Sequence, residues 1–248
     1  MSKLSIKSFI DIATQAVTHC VTDRVSGYTA VIDPSFSSGV EADEHTVGTI
    51  DSIVEYIDQQ NYHLQWILQS STQNSDLRAT SYLKSLKGGQ IGGAEVTHKR
   101  SNLSSHIDVI AGMANKSDQK LDHTFSDNEL IELGHLRIQV MYAQDHLMYL
   151  VEDSLFVGNL FLDNTTTSSI NLCLDVNTMR HSCNKILALP NATRIFVGNA
   201  SKVQNEDLYK WETTIIEQKL HLVEARFVGT LPSLTPKHSL HDQTVNAN

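Results

Sequence analysis

The groups in this chain with reactive or ligating chemistry are its histidines, carboxylates, hydroxyls and thiols. Twelve histidines and 28 acidic residues supply imidazole and carboxylate, the donors that hold zinc or iron(II). An ion bound this way with an open position activates water or oxygen. Asp145-His146 together with Asp76 makes a set of two or three such ligands, against the plainer reading of a hydrogen-bonded or solvated surface histidine. The stretch Ser71-Thr72-Gln73-Asn74-Ser75-Asp76 offers hydroxyls beside a carboxylate. Ser71 or Ser75 with Asp76 and a distant histidine would suit metal-free hydrolysis, although no nucleophile elbow or set of oxyanion donors is readable around them. Cys20, Cys173 and Cys183 are far apart and form no CxxC pair. That spacing argues for a reducing, cytoplasmic setting and for small buried thiols rather than a disulfide framework.

These groups need a scaffold, and the pattern of apolar residues supplies one. Thr18–Thr22 and Tyr28–Asp33 read as a hairpin closed by Asp33-Pro34. Val47, Ile50, Ile53, Val54 and Ile57 recur at helical spacing and predict a helix over Thr46–Gln60. Leu64–Leu68 reads as a buried strand, Leu77–Leu86 as a helix stopped by Gly88-Gly89, and Ile91–Thr97 as the next strand. In the second half, Ile131–Gly134 and His135–Tyr142 predict a hairpin, followed by strands at Leu147–Val151, Leu155–Val157 and Arg194–Val197. Helices are expected at Val176–Leu187 and Lys210–Lys219. Strand-rich units with interspersed helices in two similar halves predict an α/β sandwich, two sheets with helices outside.

Composition narrows the partners. The 248 residues carry 19 Lys+Arg against 28 Asp+Glu, a net charge of −9 with no basic stripe, so no nucleic-acid partner is expected. The longest apolar run is Leu147–Val151, far short of the roughly 20 residues a membrane span requires. No stretch reads as a linker, and a single domain over 1–248 is expected.

Phe9-Ile10-Asp11, Ala30-Val31-Ile32-Asp33-Pro34, Leu64-Gln65-Trp66-Ile67-Leu68, Gly88-Gly89-Gln90-Ile91-Gly92, Leu155-Phe156-Val157-Gly158 and Leu187-Ala188-Leu189-Pro190 occur in one order. In that order they resemble the metallo-β-lactamase fold, and within it the persulfide dioxygenase and glyoxalase II-like branch. The resemblance runs from Ile6 to the C-terminus and implies a four-layer αβ/βα sandwich, with about 220–248 as the family's C-terminal extension. Relatives of this branch often dimerise, which makes a homodimer the expectation.

The resemblance also implies a metal held by an HxHxDH loop, a His in a TPGHT-like loop, the Asp of a GD pair and the His of a GH pair. Ser71, Gln73 and Asp76 stand at the three HxHxDH histidines, and Ser75 stands at its aspartate. The TPGHT-like loop is shortened to Tyr142-Ala143-Gln144-Asp145-His146, flanked by His135 and His146. Asn159 and Asn199 replace the Asp and the last His, and Ser168-Ser169-Ile170 replaces the branch's substrate-binding Arg stretch. Neutral Ser, Gln and Asn are poor donors for a divalent transition metal. The expectation is therefore a degenerate, non-catalytic family member with no metal cofactor, binding a small molecule or a protein. The alternative is a metal-dependent hydrolase or persulfide dioxygenase-like enzyme holding iron or zinc through Asp76, Asp145 and His146.

Overall fold

The computed structural model describes residues 3–12, 14–36, 48–71, 77–94, 121–143, 146–159, 184–186, 188–202 and 209–214. Among the described residues, twelve strands form two six-stranded sheets. The first sheet contains β1 (Leu4–Ile10), β2 (Val17–Asp23), β3 (Tyr28–Ile32), β4 (His63–Leu68), β5 (Gln90–Gly93) and β6 (His123–Thr124), adjacent in that order. β1, β2 and β3 pair antiparallel, and β3 to β6 run parallel. The second sheet runs from β7 (Leu130–Leu133) through β8 (Leu136–Ala143), β9 (His146–Val151), β10 (Ser154–Gly158) and β11 (Arg194–Lys202) to β12 (Tyr209–Thr214). Only β10 and β11 are parallel within it.

The sheets face each other across one apolar core, in which Val21, Ile32 and Leu68 of the first meet Ile138, Tyr149 and Phe156 of the second. The outer face of the first sheet is covered by helices α1 (Gly48–Gln59) and α2 (Leu77–Lys87). The spacing of Ile50, Ile53 and Ile57 puts all three on one stripe of α1, and all three are fully buried. Burying each contributes about 2 kcal/mol. Asn61 at φ 53° turns the chain after α1, and Gly88 at φ 74° does so after α2, the left-handed stop that Asn and Gly tolerate. On the outer face of the second sheet, Met148, Leu155 and Ile195 pack with Ile186, which lies in the helical residues 184–186. The result is the expected four-layer α/β sandwich.

Two expectations change. Tyr209–Thr214 is a strand antiparallel to β11, with Ile195 opposite Thr213 and Phe196 opposite Glu212. The helix expected over Lys210–Lys219 is therefore wrong at its start, and 215–219 lie outside the described residues. Trp211 and two threonines suit a pleated edge as well as a helix, and an available partner strand decides the matter. The β5 strand covers Gln90–Gly93, with Ala94 outside it and 95–97 outside the described residues; within it, a Cβ at Gly92 would lie 2.3 Å from a ring carbon of Phe125. The first strand, β1, carried no strong sequence signal, since Lys7 and Ser8 interrupt its apolar alternation. Lys84 and Lys87 of α2 pair with Asp122 and Asp58.

At one end of the sandwich a fully buried carboxylate joins the sheets. Asp23, which ends β2, accepts hydrogen bonds from Val25 N at 3.0 Å, Ser26 Oγ at 2.6 Å, His135 N at 2.8 Å and His135 Nδ1 at 2.9 Å. His135 lies in the β7–β8 turn, so it does not flank the shortened loop. Seven residue steps along β8 put it roughly 24 Å from that loop. Burial works to raise the Asp23 pKa, but the bonds from Ser26, His135 and Val25 outweigh it and hold the carboxyl well below 3.8. A depressed folded pKa gives stability that is present above pH 3.8 and lost as the pH falls through the folded value. Asp23→Ala should cost about 3 kcal/mol at neutral pH, and its deficit against the unaltered protein should shrink below about pH 4. Urea unfolding across that range measures both.

Candidate functional site

At the opposite end, β3, β4, β10 and β11 all deliver their C-terminal ends, the usual ligand-facing edge of parallel strands. Asp33 follows β3 at φ 52°, a left-handed conformation that Asp and Asn tolerate better than most residues. Its buried carboxylate accepts from Ser70 N at 2.7 Å and from Ser70 Oγ at 2.6 Å. Thr18 Oγ1 donates to its carbonyl at 2.9 Å. Ser70 is thereby fixed at the head of the loop that follows β4. The next residue, Ser71, pairs as an isolated antiparallel bridge with His146 at the start of β9, and Leu147 N donates to Ser70 O at 2.6 Å. Gly158, ending β10 at φ 55°, packs so closely that a Cβ there would lie 1.9 Å from Ser70 Oγ. The chain passes this point only as glycine.

Asn159 follows Gly158 and lies against β11, where a Cβ on Gly198 would be 2.9 Å from Asn159 Oδ1. Asn199 pairs across the sandwich with Ala16 in a second isolated bridge. His19 adds a buried tie: its Nε2 lies 3.0 Å from Val197 O and its Nδ1 lies 2.8 Å from Ser8 Oγ. A carbonyl only accepts, so Nε2 donates, and in the neutral ring Nδ1 accepts from the Ser8 hydroxyl. Rings of Phe156 and Phe196 flank the imidazole. Tyr149 from β9 donates to Gln69 O at 2.6 Å. A cleft of about 290 Å³ opens at the same end, between Phe9 to Asp11 at the end of β1 and Thr49 and Ser52 of α1.

The structure therefore brings Ser71, Asn159 and Asn199 to one end, with His146 beside Ser71. Gln73, Ser75, Asp76 and Asp145 lie outside the described residues, as do Ser168, Ser169, Ile170, Cys173 and Cys183. Asn159 is exposed, and Ser71, Asn199 and His146 are half-buried. Of the family-ligand positions, the described residues contribute one hydroxyl and two amides, weak donors for a tetrahedral transition-metal centre. Among the described residues no group of three His, Cys, Asp or Glu comes together. Asp33, Ser70 and Gly158 were not singled out from the sequence as site residues. The available signal was an aspartate directly after the apolar run Ala30-Val31-Ile32 and a serine directly after β4.

This architecture is the metallo-β-lactamase fold: ETHE1 from Myxococcus xanthus superposes with a TM-score of 0.62 over 92% of each chain, at 15% identity. No family model matches the sequence. A β-lactamase hydrolase-like protein of Xylella fastidiosa is 28% identical over 261 residues, covering 97% of this chain and 59% of its own length. A protein of Burkholderia pseudomallei described as a probable metallo-hydrolase is 24% identical over 211 residues, covering 78% of this chain and 71% of that one. In sequence the chain is similar to these two proteins, and in architecture it has the metallo-β-lactamase fold. It spans between 50% and 59% of the length of the β-lactamase hydrolase-like relatives.

Burial pushes the Asp33 carboxyl above its ordinary 3.8, and the two Ser70 bonds only partly oppose that. A raised folded pKa means the native state binds its proton more readily, so this group's contribution to stability falls as the pH rises from 3.8 through the folded value. Asn keeps the shape, the positive φ and both contacts, with Ser70 Oγ switching from donor to acceptor. Asp33→Asn should therefore match the unaltered protein at low pH and equal or exceed its stability at neutral pH. Asp33→Ala, which orphans the buried Ser70 N–H and strains the backbone, should lose about 2–4 kcal/mol. Denaturant titrations of the three proteins between pH 3.5 and 8 test this.

Proposed function

We propose that this protein is a metallo-β-lactamase-fold binding or regulatory protein in which the family metal site has been exchanged for a neutral polar constellation. The observation that supports it most directly is the gathering of Ser71, Asn159 and Asn199 at one end of the two sheets. An amide in place of a carboxylate or imidazole keeps hydrogen-bonding capacity and removes charge. That suits a cleft without a cation, where ligand charges would have nothing to compensate them. The occupant on this reading is a small molecule or a protein segment, bound by a protein that works as a homodimer. Nucleic acid and membrane are not its partners.

A second reading has the relatives' names and one local feature in its favour. One relative is described as a probable metallo-hydrolase, and His146 stands directly across from Ser71. An enzyme of this class would hold iron or zinc through His146 with Asp76 and Asp145.

Elemental analysis of untagged protein, expressed with iron and zinc supplied, separates the two readings. The proposal predicts metal far below one per chain. Iron or zinc near one per chain would overturn it, and His146→Ala, Asp145→Ala and Asp76→Ala should then each lower the occupancy.

A further inference from the structure

The family-ligand positions come from both halves of the sandwich. Ser71 follows β4 of the first sheet, while Asn159 follows β10 and Asn199 lies in β11 of the second. A metal held at those positions would tie the two sheets together at this end. The neutral set cannot do so, yet the sheets are tied here, and the tie is backbone. Leu147 N of β9 donates to Ser70 O, Ser71 pairs with His146, and Ser70 is held from behind by Asp33. We infer that, in this chain, backbone pairing between the Ser70–Ser71 segment and the tip of the β8–β9 hairpin takes over the cross-link that a metal would supply, and that the shortened hairpin makes this pairing available. The inference rests on the proposed loss of the metal site.

The register shows why hairpin length matters. β8 and β9 stay paired up to Ala143 opposite His146, which leaves only Gln144 and Asp145 between the paired residues. A two-residue connection fixes the relation of its strands tightly. His146 and Leu147 therefore emerge from the turn already aligned, and their backbone meets Ser70 and Ser71 at once. A longer loop would let the first residues of β9 swing away, and the Leu147 N–H would exchange its protein acceptor for water. Lys185 reinforces the alignment from the outer face: its Nζ donates to Tyr142 O at 2.9 Å and to Asp127 Oδ2 at 3.0 Å. Asp127 in turn accepts from Tyr142 N at 2.7 Å. The end of β8 is clamped two residues before the turn, on the strand that leads into the tie.

Two measurements on the full chain test this. In the unaltered protein, the Leu147 amide should exchange with deuterium at least ~100-fold more slowly than an open-loop amide. An excess of chelator should leave that rate unchanged. Inserting Gly-Ser-Gly between Gln144 and Asp145 should abolish the protection and lower Tm by about 5 °C or more. Fast Leu147 exchange in the unaltered protein, protection that disappears with chelator, or an insertion that leaves Tm and protection intact would each overturn the inference. If the insertion variant does not fold, exchange in the unaltered protein decides. Metal analysis keeps the two failures apart: a metal-free protein that tolerates the insertion sinks this inference alone, whereas a metal-bound one sinks the proposed function beneath it.

Discussion

The carboxylate of Asp33 sits between the two sheets with Ser70 as its hydrogen-bonding partner, and the site end of the molecule is arranged around that contact. Burial makes the charge expensive, and the two bonds from Ser70 offset only part of the cost. The return is position. Ser70 held at the head of its loop offers a carbonyl to Leu147 of the opposite sheet and a surface on which Gly158 can turn. Asn159 is aimed from Gly158, Asn159 lies against Gly198, and Asn199 meets Ala16. Each residue's place follows from the one before it.

The other end of the sandwich uses the same residue type with the opposite electrostatic outcome. Asp23 accepts four hydrogen bonds from three residues, so its charge is well solvated by protein dipoles. One end is thus closed by a stable carboxylate and the other by a strained one. Strain at the end where ligands approach a parallel sheet is where a folded protein can afford a functional compromise. At the Asp23 end, Gly134 is pressed so near Ser26 that a Cβ would sit 2.0 Å from its hydroxyl, which packs the β2–β3 and β7–β8 turns together.

Much of the scaffold was legible because its signals are local. The stripe Ile50, Ile53, Ile57 needs only helical periodicity, and Gly88-Gly89 needs only the left-handed stop. The β12 strand was not legible, because Trp211 and its neighbours suit either state until β11 supplies a partner. The misplacement of His135 has a similar cause. Nearness in sequence to the shortened loop hid a whole strand's length, and only the pairing of β7 with β8 puts His135 on Asp23. At the site, Ser71, Asn159 and Asn199 were picked out through collinear resemblance, and the structure puts them at one end of the sandwich. The backbone tie between Ser70–Ser71 and His146–Leu147 was not, since a hydrogen bond between two sheets leaves no mark in side-chain type. Asp33 shows the boundary well: its place after an apolar run was plain, while its role depends on Ser70, 37 residues further on.

We propose that this sandwich closes at its site end without a metal, and calorimetry of the protein as purified decides between that and a metal-held end. Unfolding would be followed alone, with excess chelator, and after addition of zinc or iron(II) at concentrations well above micromolar. The account predicts superimposable transitions in all conditions. A metal bound by the native state at 100 times its Kd would add about 2.7 kcal/mol, a shift that calorimetry resolves easily. A lower Tm with chelator, or a higher one with either metal that depends on its concentration, would contradict the account.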